Sequence, residues 1–221
     1  MLELVKAGGW PMIPLLLMSA AGLAIIVERA WALRRKAVLP PGLGEEVRAW
    51  AVRGRLDPTH IDSLRNTSPL GALLAAALDT RNRPREEIRE RVEDIGRHIT
   101  HRMERYLNAL GTIAAAGPLL GLFGTVVGMI QMFLGVMDYG VGDVNQLAGG
   151  IGKALVCAAT GMIVAVPALM FHRHFRARID GYIVAMEHEA IQLMDVIDPR
   201  ARRVAASVPP LAPGDAVPVQ G

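Results

Sequence analysis

A single cysteine, Cys157, occurs in 221 residues. That excludes an internal disulfide and any zinc or iron–sulfur centre built on several cysteines. Aromatic residues are also scarce, at 5% of the chain. The most informative absence is that of charge. The 21 residues from Ala7 to Val27 carry none, nor do the 32 from Tyr106 to Met137, and between Asp143 and Arg173 the one formal charge is Lys153. A helix crosses the roughly 30 Å hydrocarbon layer with about 20 mostly apolar residues. These gaps argue against a soluble protein and predict three transmembrane helices. Only helices fit, because lipid offers backbone groups no outside partner. The 52% hydrophobic content excludes a disordered chain.

The first apolar run has one feature of a signal peptide, since Ala21-Gly22-Leu23-Ala24 resembles a cleavage site. Two features oppose that reading. The basic cluster Arg34-Arg35-Lys36 follows the run instead of preceding it. Trp10 and Trp31 stand 21 positions apart, about 32 Å along a helix at ~1.5 Å per residue, which matches an aromatic belt at each interface. The run reads as an uncleaved anchor.

Lysine and arginine set the orientation. Arg34 to Arg105 holds 15 of the 24, the segment from Arg173 onward holds 6, and Asp138 to Gln146 holds none. The positive-inside rule then places the N-terminus outside and the C-terminus in the cytoplasm. The expected organisation is a periplasmic N-terminus and first span over 1–33 and a cytoplasmic helical domain over 34–105. A second span over 106–137, a periplasmic turn over 138–146 and a third span over 147–172 follow. A cytoplasmic helical extension over 173–198 and a disordered, proline-containing tail over 199–221 complete the chain. The fold class is an all-α membrane protein, with two long helices extending into a cytoplasmic helical domain.

Within that domain, Leu43 to Arg53 reads as a short helix. Asp57-Pro58 and Ser68-Pro69 each look like an N-cap followed by proline at the first helical position. Ile88, Val92, Ile95, Ile99, Met103, Leu107 and Leu110 form a helical stripe with no breaker before the second span. The stripe predicts one helix from about Glu86 to Met137. The third span runs on in the same way through Ile179, Ile183, Met186, Ala190, Met194 and Ile197.

Gly117/Gly121 and Gly124/Gly128 are GxxxG pairs, and the third span carries Gly161 among many alanines. Small residues let helices approach closely in lipid, where van der Waals contact drives association. Crowding of this kind in a three-span chain points to further copies of the same chain, the alternative being packing within one bundle. Polar groups in these spans are few. Thr125 and Thr160 are candidates for lining a pathway, although a threonine hydroxyl also bonds its own helix. Lys153 lies on nearly the same helix face as Thr160. Two readings of it stand: a functional intramembrane charge, or a side chain snorkelling to the outer surface. The apolar stretches hold no carboxylate or histidine, so any proton relay needs an acid from a partner. Arg102, Arg105, Arg173 and Arg176 border the spans and suit anionic lipid head groups.

The run Gly117-Pro118-Leu119-Leu120-Gly121-Leu122-Phe123-Gly124-Thr125-Val126-Val127-Gly128-Met129 resembles the signature of the ExbB/TolQ/MotA proton-channel family. Gly150-Ile151-Gly152-Lys153-Ala154-Leu155, with Ala159-Thr160-Gly161-Met162 and Val166-Pro167-Ala168, resembles that family's last transmembrane helix. The resemblance covers nearly the whole chain, and ExbB-like members are nearest in size and pattern. It implies a homopentamer in the bacterial inner membrane around a central pore. An ExbD-like single-pass partner in the pore supplies an aspartate. Protons are the coupling ion, a TonB-like transducer receives the energy, and bound phospholipid is compatible. In TolQ-like members the output is envelope integrity instead. Thr125 matches the family's pore-lining threonine. Family members often carry glutamate at the position of Lys153 and threonine at that of Ala158, so Thr160 is offset by two.

Several other functions lose their footing. Glu86, Glu87, Glu90, Glu93, Asp94 and Glu104 interleave with the arginines of 85–105, the pattern of a solvated, salt-bridged face and not of a nucleic-acid surface. His98 and His101 lack a third metal ligand nearby. No Ser–His–acid set, phosphate loop or HExxH motif is present, so no catalytic residue and no metal or organic cofactor is expected. A proton-driven stator and a non-conducting membrane scaffold are the two classes left.

Overall fold

The structure, a computed structural model, describes residues 9–54, 57–139 and 144–198. These residues form eight helices: α1 (Met12–Ala32), α2 (Arg35–Val38), α3 (Leu43–Arg53), α4 (Pro58–Thr67), α5 (Pro69–Asp79), α6 (Arg85–Met103), α7 (Leu107–Tyr139) and α8 (Val144–Ile197). The chain is an all-α membrane protein: α1, α7 and α8 are each long and apolar enough to cross a bilayer. The expected tail over 199–221 lies outside the described residues, as does the centre of the expected turn over 138–146. Two compact units make up the described chain. One holds α1, α6 from His101, α7 and α8 as far as Gly181. The other holds α2 to α5, α6 as far as Thr100, and α8 from Tyr182.

In the first unit α1 packs along α7. Its buried stripe is Met12, Leu15, Gly22, Ile26 and Arg29, at helical spacing. Met12 and Leu15 bury against Cys157, with Leu120 and Val156 around them. Trp10 meets the ring of Phe123 edge-on, 5.8 Å between centroids. Most of the span surface stays open: 28, 17 and 33% of the most apolar window of α1, α7 and α8 is buried within this one chain. The exposed side chains are large and apolar, Leu119, Phe123, Ile130 and Ile163 among them. Lipid or further helices must cover them.

The expected single helix from Glu86 to Met137 is interrupted. Helix α6 stops at Met103, Glu104 to Tyr106 form a turn, and α7 starts at Leu107. Tyr106 adopts φ +66°, a left-handed conformation that costs a side-chain-bearing residue roughly 1–2 kcal/mol. Its neighbours supply the reason. Arg29 is 6% exposed and donates from Nη1 to the Met103 carbonyl at 3.0 Å, inside the protein. Glu28 accepts two further bonds from the same guanidinium. The Tyr106 ring receives Arg29 at 5.4 Å and Arg105 at 4.7 Å from its centroid, both within cation–π range. The Met103 carbonyl thus gains a charged donor at the point where the helix ends. The stripe survives the break, with Met103, Leu107 and Leu110 all buried.

The second unit is built on helix starts written into the sequence. Asp57 accepts from the Thr59 N–H ahead of α4, and Ser68 accepts from the Gly71 N–H at 3.0 Å ahead of α5, each with proline at the first helical position. Helix α5 is the core element: Leu70, Leu73, Leu74 and Leu78 are buried, and α2, α3 and α4 all pack on it. A side chain at Gly71 would run into the Leu64 carbonyl, which sets how closely α4 meets α5. Helix α8 joins this unit through two ion-pair sites. Arg48 of α3 bonds Glu189. Arg85 of α6 bonds Asp195 at 2.6 Å and Asp198 at 3.3 Å. Hydrogen bonds to Asp195 first, then Asp198, hold the Arg85 guanidinium above its ordinary value. Its charge therefore persists at every physiological pH. Arg85 is 47% exposed, so solvent screening leaves such a link worth about 0–1 kcal/mol.

Arg29→Lys should destabilise the first unit by about 1–3 kcal/mol, because an ammonium cannot reproduce the fork shared by Met103 and Glu28. Thermal unfolding in detergent micelles reads it, and an unchanged midpoint would remove the clamp from this account. Ser68→Ala should cost about 1 kcal/mol through loss of the α5 cap. The same unfolding measurement decides, and a wild-type midpoint would refute the cap's contribution.

Candidate functional site: the α7–α8 seam

The two most apolar helices meet along a seam of small residues. Both stay helical through an internal proline, Pro118 in α7 and Pro167 in α8, which membrane helices tolerate when neighbours re-satisfy the freed backbone groups. The approach is close enough to test atom by atom. A methyl at Gly117 would stand 3.0 Å from the Ala165 Cβ and 3.1 Å from the Gly161 carbonyl. At Gly121 it would stand 3.2 Å from the Cys157 carbonyl, and at Gly128 3.2 Å from the Ala154 Cβ. At Gly124 it would collide with the Cys157 sulfur. From the other side, a methyl at Gly161 would lie 2.6 Å from the Gly117 carbonyl and 2.9 Å from the Gly121 Cα. These are backbone atoms, which cannot swing away. Gly117, Gly121, Gly128 and Gly161 therefore stand against backbone atoms of the antiparallel helix, and Gly124 stands against the Cys157 side chain.

The register places the polar groups. Gly128 faces Ala154 and Gly124 faces Cys157, so Thr125 stands at the level of residues 154–157. It is partly exposed beside the seam, and its Oγ1 donates to the Leu122 carbonyl at 2.6 Å. The hydroxyl oxygen keeps its acceptor capacity. Thr160, also partly exposed, stands near the level of Gly121, and its Oγ1 donates to the Val156 carbonyl at 2.8 Å. Lys153 is exposed, next to seam residue Ala154, with no ion pair or hydrogen bond among the described residues. Cys157 is fully buried in the seam.

The four arginines at the edge of the spans divide. Arg105 lies against the Tyr106 ring. Arg102, Arg173 and Arg176 are exposed without an ion pair among the described residues. Among the described residues no three His, Cys, Asp or Glu side chains gather as a metal would require, His98 and His101 included.

Three contributors escaped the sequence reading. Arg29 is the buried cation at the start of α7, and its signal was spacing: it continues the stripe Leu15, Gly22 and Ile26. Cys157 joins α1 to α8, which no local pattern announces. His172 lies over Gly111, where a methyl would stand 3.2 Å from its Nε2, so an imidazole fills the helix gap beyond the glycine run.

Residues 65–188 match the model of the MotA/TolQ/ExbB proton channel family. The chain is 36% identical over 169 residues to the ExbB-like 1 biopolymer transport protein of Synechocystis sp., covering 75% of this chain and 66% of that relative. It is 30% identical over 136 residues to the biopolymer transport protein ExbB of Pseudomonas putida, covering 60% of this chain and 41% of the relative. Against the Salmonella typhimurium protein of the same name it is 33% identical over 107 residues, 48% of this chain and 42% of the relative. The matched stretches thus span from 41 to 66% of these relatives' length.

Gly161→Ala should lower the unfolding free energy by about 1–3 kcal/mol through overpacking against backbone, whereas Gly152→Ala, which faces open space, should be neutral or stabilising. Thermal unfolding of both variants in the same detergent checks the contrast. Equal midpoints would mean that the seam does not set helix separation.

Proposed function

Because the chain belongs to the MotA/TolQ/ExbB proton channel family, we propose that it is a proton-channel subunit whose α7–α8 seam borders the conducting pathway. The observation that carries this reading is Thr125: a hydroxyl beside a backbone-tight seam, on a helix whose other flanking side chains are apolar. Backbone contact through Gly117, Gly121, Gly128 and Gly161 holds the α7–α8 wall to one geometry. The threonine oxygen offers a proton or its hydrated carrier an acceptor where apolar neighbours offer none. Lys153, one residue from the seam, adds the only formal charge of the third span. It sets the field there and suits the carboxylate of a partner helix.

The printed names of the relatives, biopolymer transport protein ExbB, favour one output. In it the chain assembles as a homo-oligomer, a pentamer, in the bacterial inner membrane. An ExbD-like single-pass partner brings the titratable aspartate, and a TonB-like transducer carries proton-motive force to import across the outer membrane. The lysine and arginine distribution supports a periplasmic N-terminus and a cytoplasmic C-terminus. A TolQ-like partnership is the alternative output of the same family.

Proteoliposomes holding the chain with its co-purifying single-pass partner, and a pH-sensitive dye inside, test the reading. Thr125→Val should lower proton flux by about tenfold, the worth of one hydrogen bond, while Thr125→Ser retains it. Lys153→Met should shift the pH dependence of the flux. An intact assembly that conducts no protons would replace the channel with a scaffold, and flux indifferent to both Thr125→Val and Lys153→Met would move the pathway away from the α7–α8 seam.

A further inference from the structure

The second unit contains a cavity of about 550 Å³ lined in part by Arg35, Lys36, Leu39, Leu70, Ala185 and His188. Its size falls in the range of roughly 300–1,000 Å³ typical of small-ligand sites. The lining is two-natured. Leu39, Leu70 and Ala185 give it an apolar wall, and Arg35 and Lys36 give it a basic one. The guanidinium of Arg35 and the ammonium of Lys36 have no ion pair or hydrogen bond among the described residues.

Two carboxylates also line the cavity, and each has a local explanation. Glu189 is engaged by Arg48. Glu45 stands in the first turn of α3, where the helix dipole favours an anion. His188 is held against Gln192 at 2.8 Å. Arg35 and Lys36 thus have no ion-pair partner among the described residues, and together they outnumber the one carboxylate of the lining, Glu45, that no arginine engages. They are adjacent in sequence and begin three residues after Ala32, the end of α1. Three residues reach at most about 10–11 Å, so the basic wall is tethered close to the end of a membrane-crossing helix.

We propose that this cavity binds a phosphate-bearing anion with a partly apolar body, its phosphate held by Arg35 and Lys36 and its body resting on Leu39, Leu70 and Ala185. A phosphate offers several acceptor oxygens to two cationic donors at once, which is the pairing such side chains bind most strongly. The apolar wall adds affinity that a bare ion cannot use. An anionic phospholipid head group and a soluble phosphate share this chemistry. The inference is independent of proton conduction, because no cavity residue belongs to the α7–α8 seam.

Titration of the intact assembly in detergent, followed by native mass spectrometry, tests it with two probes: dihexanoyl phosphatidylglycerol below its micellar concentration, and inorganic phosphate. The double substitution Arg35→Gln with Lys36→Gln should weaken saturable binding about tenfold or more. Arg89→Gln with Arg97→Gln removes the same charge from α6 outside the cavity and should leave binding unchanged. Ala185→Phe fills the cavity from α8 without touching the cations and should lose binding as well, and an unchanged thermal unfolding midpoint of the charge variant excludes misfolding as the cause. Phosphatidylglycerol binding with this pattern identifies a lipid head-group site. Phosphate binding with this pattern, and none for the lipid, identifies a soluble phosphate. No saturable binding of either probe, unchanged binding in Arg35→Gln/Lys36→Gln, or an equal loss in the Arg89→Gln/Arg97→Gln control overturns the proposal.

Discussion

In lipid, burying apolar surface gives helices no reason to associate, since the surroundings are as apolar as leucine. What holds α7 to α8 is direct backbone contact, and that contact exists only where side chains are missing. Gly161 shows how strict the constraint is: one methyl there would lie 2.6 Å from a carbonyl of the facing helix. Everything else in the first unit is arranged around this separation. Cys157 and Ala154 take the space opposite Gly124 and Gly128. Met12 and Leu15 of α1 close over Cys157. Thr125 is held at the margin of the contact, where its hydroxyl is neither buried nor free to move far.

Much apolar surface nonetheless remains open. One chain sets only three membrane-crossing helices against one another, so most of each span's surface has no partner within it. Leu119, Ile130 and Ile163 point outward because the chain alone has nothing to set against them. For a soluble protein that would be an aggregation hazard. For a membrane protein it is the surface that lipid or further helices take up.

The second organising contact is smaller. Arg29 brings a charge to the end of α6 and meets a carbonyl that helix geometry leaves open. The apolar stripe from Ile88 to Leu110 runs through this point. The helix breaks here, and α7 begins just after a left-handed tyrosine whose ring two guanidiniums flank. The interruption leaves the stripe buried on both sides of it, with Ile99 and Met103 before the turn and Leu107 and Leu110 after it.

Much of this was legible before any coordinates. The three spans follow from charge-free length, because the bilayer thickness sets a minimum that few soluble helices meet. Ser68-Pro69 and Asp57-Pro58 announced their helix starts, because a cap is a local bargain between neighbouring residues. The glycine run announced a close contact, because glycine spacing on a helix needs no partner to be read. Other features were illegible for a common reason: each depends on a residue distant in sequence. Nothing near Glu104 to Tyr106 marks a break, and the side chain that meets the open carbonyl there, Arg29, lies far away in sequence. Nothing near Cys157 marks it as a core residue, since Met12 and Leu15 make it one. Arg35 and Lys36 read as a membrane-flanking cluster, and only the arrival of Leu70, Ala185 and His188 beside them makes a cavity. Periodicity and composition carry what short-range sterics and the bilayer decide, whereas pairings across 74 residues, such as Arg29 with Met103, exist only once packing has brought the two ends together.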